Sequence, residues 1–251
     1  MNNIVKSQIY QLKKDRLILS IFILVAVIEI IQVTVGEGAC AESASDFIGM
    51  IGSIPYSVIY MFVAVLIARV CGADFGDKTF NYEIMSGHTR RETYISRAGI
   101  SIIAGVAGVA VLANLSIVLA TLIHGFGTKI SVGTVVLHQV LCIFPMIRIM
   151  SFFIFLIFAI RNQYIVMLLG FLTFSISELL GTIQSYVLSI TNLAMLCRYE
   201  SFSTFALSGG EYYVYEGSLS ISTIVLTIVI SLVMSTFWLY VGYVFYQKDD
   251  L

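Results

Sequence analysis

Charge is what this sequence has least of. Only 12% of its 251 residues are Asp, Glu, Lys or Arg, whereas 59% are hydrophobic. Soluble domains carry about 25% charged residues. Half that share, together with several long apolar runs, places the chain in a bilayer. Proline is almost absent, with two residues. No Pro-rich linker, low-complexity tract or internal repeat divides the sequence, so it reads as a single domain over 1–251. The four cysteines (Cys40, Cys71, Cys142, Cys197) and three histidines (His88, His124, His138) lack metal-ligand spacing. HExxH is absent, no Gly-x-Ser-x-Gly elbow follows a strand, and no span carries a paired Glu-Glu. These are the usual signatures of an intramembrane hydrolase. No A-x-A-like cleavage site follows the first apolar run, so that run is expected to remain as a span.

What the sequence does have is apolar length. A span takes about 20 apolar residues to cross about 30 Å of hydrocarbon. Six segments qualify: Leu17–Val35, Ile48–Cys71, Ile100–Ile123, Val132–Ile160, Tyr164–Ile190 and Ile221–Phe245. The expected fold is all-α and polytopic, with six transmembrane helices. The fourth segment contains Pro145, a residue that can kink a helix. Lys and Arg mark the cytoplasmic side. With both termini inside, Lys6, Lys13, Lys14, Arg16, Arg69, Lys78, Arg90, Arg91, Arg97, Arg161 and Lys248 are inside, and only Lys129 and Arg198 are outside. An N-in, C-in protein of the cell membrane follows.

Residues 1–16 carry Val5, Ile9 and Leu12 at i, i+4, i+7, with Lys6, Lys13 and Lys14 largely off that stripe. This is the pattern of an amphipathic helix lying in the inner interface. Residues 182–220 are mildly apolar and rich in aromatics. They read as outer re-entrant or interfacial helix, with a plain surface loop as the alternative. Ala104 and Gly108, four apart, permit a close helix–helix contact. Asn114 lies inside the third span, where an interhelical hydrogen bond is its expected role. Cys40 and Cys197 share the expected outer side, as a disulfide or as two thiols.

One charged island interrupts the apolar runs. It spans residues 72–99 and reads GADFGDKTFNYEIMSGHTRRETYISRAG. Its second half favours helix over Asn81–Arg97, broken at Ser86-Gly87, because Gly costs a helix about 1 kcal/mol relative to Ala. Two short helices at an angle are expected. Thr89 is placed to cap the second, with Glu92 three residues on as in a capping box. Arg90 and Arg91 then fall on a first turn, where cations oppose the helix dipole. The Walker spacing GxxxxGK[ST] is not met, because Asp77 occupies the place of its second Gly.

This island resembles the cytoplasmic loop of type 2 ABC exporter permeases, the membrane subunits of bacterial drug, bacteriocin-immunity and polysaccharide exporters. The matching positions are Asp74, Thr79, Gly87-His88-Thr89-Arg90, Tyr94 and Arg97. Lys78 stands where that family commonly has glycine, and Arg97 where it has lysine. In architecture the resemblance covers the whole chain; at residue level it covers only the island. It implies a coupling helix at roughly Glu83–Ile95, with Glu83, Ile84, Met85, Ser86, Gly87, His88, Thr89, Arg90, Arg91 and Tyr94 meeting a separate ABC ATPase. It also implies a dimer of ATPases that binds ATP and Mg, a second permease (identical or paralogous), and no cofactor in this chain. The implied substrate is amphipathic: an antimicrobial peptide, a lipid-like compound or a drug. Membrane lipids are the remaining partners, and no nucleic acid is expected.

Three ionisable residues fall inside the expected spans: Glu29, Arg148 and Glu178. At 1.5 Å per residue each lies ~20 Å from the inner surface. Sharing one depth, they admit an ion pair of Arg148 with Glu29 or Glu178. Such a pair ties spans together, or it closes a gate or lines a substrate path. Two acids against one base would suit a cationic substrate. A channel or scaffold without ATP coupling is the alternative reading, and an intramembrane enzyme the weakest.

Overall fold

The computed structural model describes residues 2–35, 41–45, 47, 54–76, 85, 87–128, 131–170, 172 and 221–247. Among them the only regular structure is helix. In chain order the helices are α1 (Asn2–Lys14), α2 (Arg16–Thr34), α3 (Ile54–Gly76), α4 (Arg90–His124), α5 (Val132–Ile160), α6 (163–170) and α7 (Ile221–Gln247). The segment 182–220, Cys40, Cys197, Lys78, Thr79, Glu83, Ile84, Ser86 and Glu178 lie outside the described residues.

Segments Arg90–His124, Val135–Ile160 and Ile228–Gln247 are each long and apolar enough to cross a membrane, and Met61–Ala73 is a shorter apolar helix. Large apolar side chains point away from the bundle on α2, α4, α5 and α7, among them Leu19, Ile103, Leu122, Val136 and Val233. Apolar surface on that scale fits lipid rather than water. α5 has the bounds the sequence predicts, and it runs through Pro145 without interruption. The ends of α3 and α4 differ from the predicted spans. α3 continues past Cys71 to Gly76, and α4 begins at Arg90 rather than at Ile100. The second of the two expected island helices is therefore the opening of α4 and not a separate rod. Nothing between Arg90 and Ile100 breaks the i to i−4 bonding, so the helix simply continues into the apolar run.

The core lies where α2, α3, α4 and α5 converge, around Val25, Phe62, Ile67, Leu112, Met150 and Phe153. α7 packs mainly along α5. Aromatic rings fill that seam: Trp238 stacks on Phe155 with centroids 5.1 Å apart, and Phe152 meets Trp238 edge-on at 5.1 Å. Such ring pairs contribute about 0.5–1.5 kcal/mol beyond their buried area. On α4 the tight contacts are made by Gly105 against Met150 and Gly108 against Phe62. Ala104, one turn before Gly108, is partly buried and packs against the same core. Asn114 donates to the Ala110 carbonyl of its own helix at 2.7 Å, so the expected interhelical bond is replaced by one within the turn. A short polar side chain in a helix readily bonds back to its own i−4 carbonyl.

α1 packs against α4. Its buried residues are Ile4 and Gln8, with Leu12 partly buried. Ile9 is exposed, so the inward face is one position away from the predicted Val5–Ile9–Leu12 stripe. Protein contact sets that face, which leaves Ile9 outward.

Helix directions follow from contacts at the ends. Arg69, late in α3, bonds Asp15 at the head of α2 and Gln163 at the head of α6. Arg90, first in α4, bonds the Gln247 carbonyl that ends α7. The starts of α2, α4 and α6 and the ends of α3 and α7 therefore share one end of the bundle. At the other end, Ala44 and Ser45 donate to the carbonyls of Gly125 and Phe126, each at 2.9 Å.

Candidate functional site

The island's geometry begins with a turn. Gly87 has φ +92°, a conformation that side-chain-bearing residues rarely adopt. His88 and Thr89 follow, Thr89 with extended φ −74° and ψ 148°, and α4 starts. The predicted capping box is formed. The Glu92 amide donates to Thr89 Oγ1 at 3.2 Å, and the Thr89 amide donates to Glu92 Oε2 at 3.2 Å. Glu92 lies ahead of the apolar run, and hydrogen bonds from the Thr89 backbone and then its side chain hold the carboxyl below its ordinary value. His88 Nδ1 stands 4.0 Å from Glu92 Oε2. The positive φ at Gly87 also means that Glu83–Ile95 is not one continuous helix: it is interrupted by the turn, and the helix restarts at Arg90.

The side chains of this segment divide into outward and inward sets. Met85 is 81% exposed, and Gly87, Thr89 and Arg91 are exposed. Arg90 is half-buried, and its Nη1 reaches the Gln247 carbonyl at 3.3 Å. That carbonyl terminates α7, so the negative end of one helix answers the cation on the positive end of another. Tyr94 is 4% exposed. Its hydroxyl donates to the Leu239 carbonyl on α7 at 2.7 Å, and its ring lies against Phe158, Tyr243 and Tyr246. The structure thus places Tyr94 inside the bundle, where it holds α4 to α5 and α7, and not on a surface a partner touches. Arg97 is fully buried and partnered.

Thr89→Ala is expected to cost about 1 kcal/mol, the usual value of an N-cap. Amide hydrogen exchange should show lost protection confined to the first turn of α4, with Thr89→Ser restoring it. Unchanged exchange at Glu92 would show that the cap is not formed.

Of the three ionisable residues expected inside the spans, Glu29 and Arg148 are described and Glu178 lies outside the described residues. Glu29 is 1% exposed, and neither carboxyl oxygen has a hydrogen-bond partner. Ser116 of α4 lies beside it, without good hydrogen-bond geometry. Arg148 is buried and has a partner of its own. Between Glu29 and Arg148 there is no ion pair: those among the described residues are Arg69–Asp15 at 2.8 Å and His88–Glu92. The reason is angular. Equal depth brings two residues together only if their helix faces meet. α2 packs on α3 and α4, whereas α5 turns chiefly to α7.

Sequence reasoning missed a polar cluster at the shared end. Asp15 caps α2, accepting from the Leu17 amide at 2.9 Å, and also accepts from Arg69 Nε at 2.8 Å. Arg69 Nη1 continues to Gln163 Oε1 at 3.3 Å. An Asp placed directly before a long apolar run is an N-cap signal that would have found the first of these contacts. The Arg69 contacts are tertiary and leave no local trace. No family model matches this chain, and no curated protein matches it significantly.

Proposed function

We propose that this chain is the permease subunit of an ATP-driven exporter in the bacterial cytoplasmic membrane. It crosses six times with both termini inside and works as a dimer of permeases on a dimer of ATPases that binds ATP and Mg. The observation that carries the reading is the turn at Gly87 and capped start of α4. They present Met85 and Arg91 outward at the bundle end where α2, α4 and α6 start and α3 and α7 finish. Lys13, Lys14, Arg16, Arg69, Arg90 and Arg91 belong to that same end, which supports its assignment to the cytoplasm. A channel or scaffold has no need of an ordered, outward-facing charged turn on otherwise lipid-compatible helices.

In this reading the ATPase pushes on Met85–Arg91. The push enters α4 at its first turn, and Tyr94 passes it to α5 and α7. The substrate is amphipathic and moves outward, with antimicrobial-peptide resistance as the physiological role. The test is co-purification of the membrane complex with the neighbouring ATPase, comparing wild type with Arg91→Glu and Gly87→Pro. Arg91 is exposed, so its replacement leaves stability within about 0.5 kcal/mol. Arg91→Glu should lower ATPase retention about tenfold or more, the scale of losing a desolvated charge contact. An ATPase that never binds wild type, or that ignores both variants, sinks the proposal.

A further inference from the structure

A cavity of about 560 Å³ opens between α1, the start of α2 and the end of α3. Gln8, Lys14, Arg16 and Arg69 line it, with Leu12 and Val70 among its apolar walls. Its Asp15 carboxylate is already engaged by Arg69 and by the Leu17 amide, at 2.8 and 2.9 Å. Three cations against one carboxylate leave a positive excess. The ion pairs among the described residues involve neither Lys14 nor Arg16. Lys14 instead stands 4.6 Å from the centre of the Tyr10 ring.

Gln8 is the second, independent observation. It is 3% exposed, and its amide nitrogen and oxygen both lack a hydrogen-bond partner. A buried amide left unsatisfied costs about 1–3 kcal/mol. Such a group persists at a cavity wall when something else supplies its partners. An amide donates and accepts, so it suits a ligand with ester carbonyls or hydroxyls beside an anionic oxygen.

We propose that this cavity binds the headgroup of an anionic phospholipid, with Lys14 and Arg16 on the phosphate and Gln8 on the glycerol or ester oxygens. The choice of a lipid over a free anion rests on the walls. Leu12 and Val70 add apolar surface that inorganic phosphate cannot use, and exposed Ile9 continues the apolar face of α1 outward. Basic pockets between membrane helices recognise anionic headgroups by this combination. The inference does not depend on coupling to an ATPase.

The test uses the full-length purified protein, with native mass spectrometry to count bound lipid and a thermal midpoint as the second readout. The probes are phosphatidylglycerol, phosphatidylcholine and inorganic phosphate. Phosphatidylglycerol should be retained over phosphatidylcholine and should raise the midpoint, whereas phosphate should not. Lys14→Gln with Arg16→Gln should reduce the preference roughly thirtyfold, at the usual worth of two basic groups near an anionic lipid. Both residues are exposed, so this variant folds. Gln8→Leu should raise the lipid-free midpoint and weaken retention about fivefold, the scale of one hydrogen bond. Equal retention of the two lipids overturns the proposal. So does a phosphate shift matching that of phosphatidylglycerol, or full retention in both variants.

Discussion

Gly242→Ala is expected to destabilise the bundle by about 2 kcal/mol, the net of opposing effects. Alanine is the better helix former and on that ground alone would gain about 1 kcal/mol in α7. Space decides against it. A Cβ at Gly242 would stand 2.8 Å from the Tyr94 hydroxyl and 3.2 Å from the Phe155 Cα. The second of these is backbone, so α5 and α7 must separate along their principal contact. Overpacking of this kind costs about 1–3 kcal/mol. The hydroxyl also cannot withdraw without breaking its 2.7 Å bond to the Leu239 carbonyl, worth about 0.5–1.5 kcal/mol. Thermal or denaturant unfolding in micelles measures the change. Tyr94→Phe isolates the hydrogen bond and should cost about 1 kcal/mol alone. The double variant carries the decisive expectation. Without the hydroxyl the alanine methyl has room on that side, so the pair should cost less than the sum of the singles by about 1 kcal/mol. Strict additivity would show that Gly242 and Tyr94 do not meet.

That arrangement also shows what the sequence could disclose. Thr89, Glu92 and Gly87 were legible because capping and positive φ are local: each needs only its neighbours within one turn. The bounds of α5 and α7 were legible because length and apolarity suffice to place them. The inward faces were not. In a soluble helix the buried stripe is the apolar one, but α2 is apolar all round. Nothing in its pattern separates the buried residues Ile18, Val25, Glu29 and Val33 from the outward Leu19, Ile23 and Val27. Where lipid and protein interior are equally apolar, packing shape decides the face. The same cause hid the inward turn of Tyr94, which reads on the page as an exposed aromatic in a charged loop. It also added Gly105 to the close contacts of α4 expected at Ala104 and Gly108, and it kept Glu29 from Arg148. Gln8 was hidden for a different reason: a glutamine among lysines reads as solvated, and only the docking of α1 on α4 buries it.

Glu29→Met should make the protein more stable and, on the permease reading, a poorer exporter. Methionine fills a volume close to that of glutamate and adapts to irregular gaps, so little cavity or strain is introduced between Val25 and Val33. The gain comes from removing a carboxyl group whose two oxygens are buried without hydrogen bonds, and is expected at about 1–3 kcal/mol. Evolution rarely retains such a group inside a membrane bundle without use, because polar groups there are expensive by default. On the permease reading its use is to meet the cationic part of an amphipathic substrate as α2 and α4 part beside Ser116. Export should then fall at least about tenfold, the worth of one charged contact. ATPase co-purification should stay at the wild-type level, because the island sits at the opposite end of α4. Two readouts keep the claim testable. A loss of stability on Glu29→Met would mean that the carboxyl is satisfied in the working protein, by a second protomer or by lipid. A gain in stability with export intact would make Glu29 a spectator and move the substrate path to another face of the bundle. A gain in stability with export lost is the signature of a group held against the preference of its own fold. It would assign the α2–α4 seam to the route of the substrate.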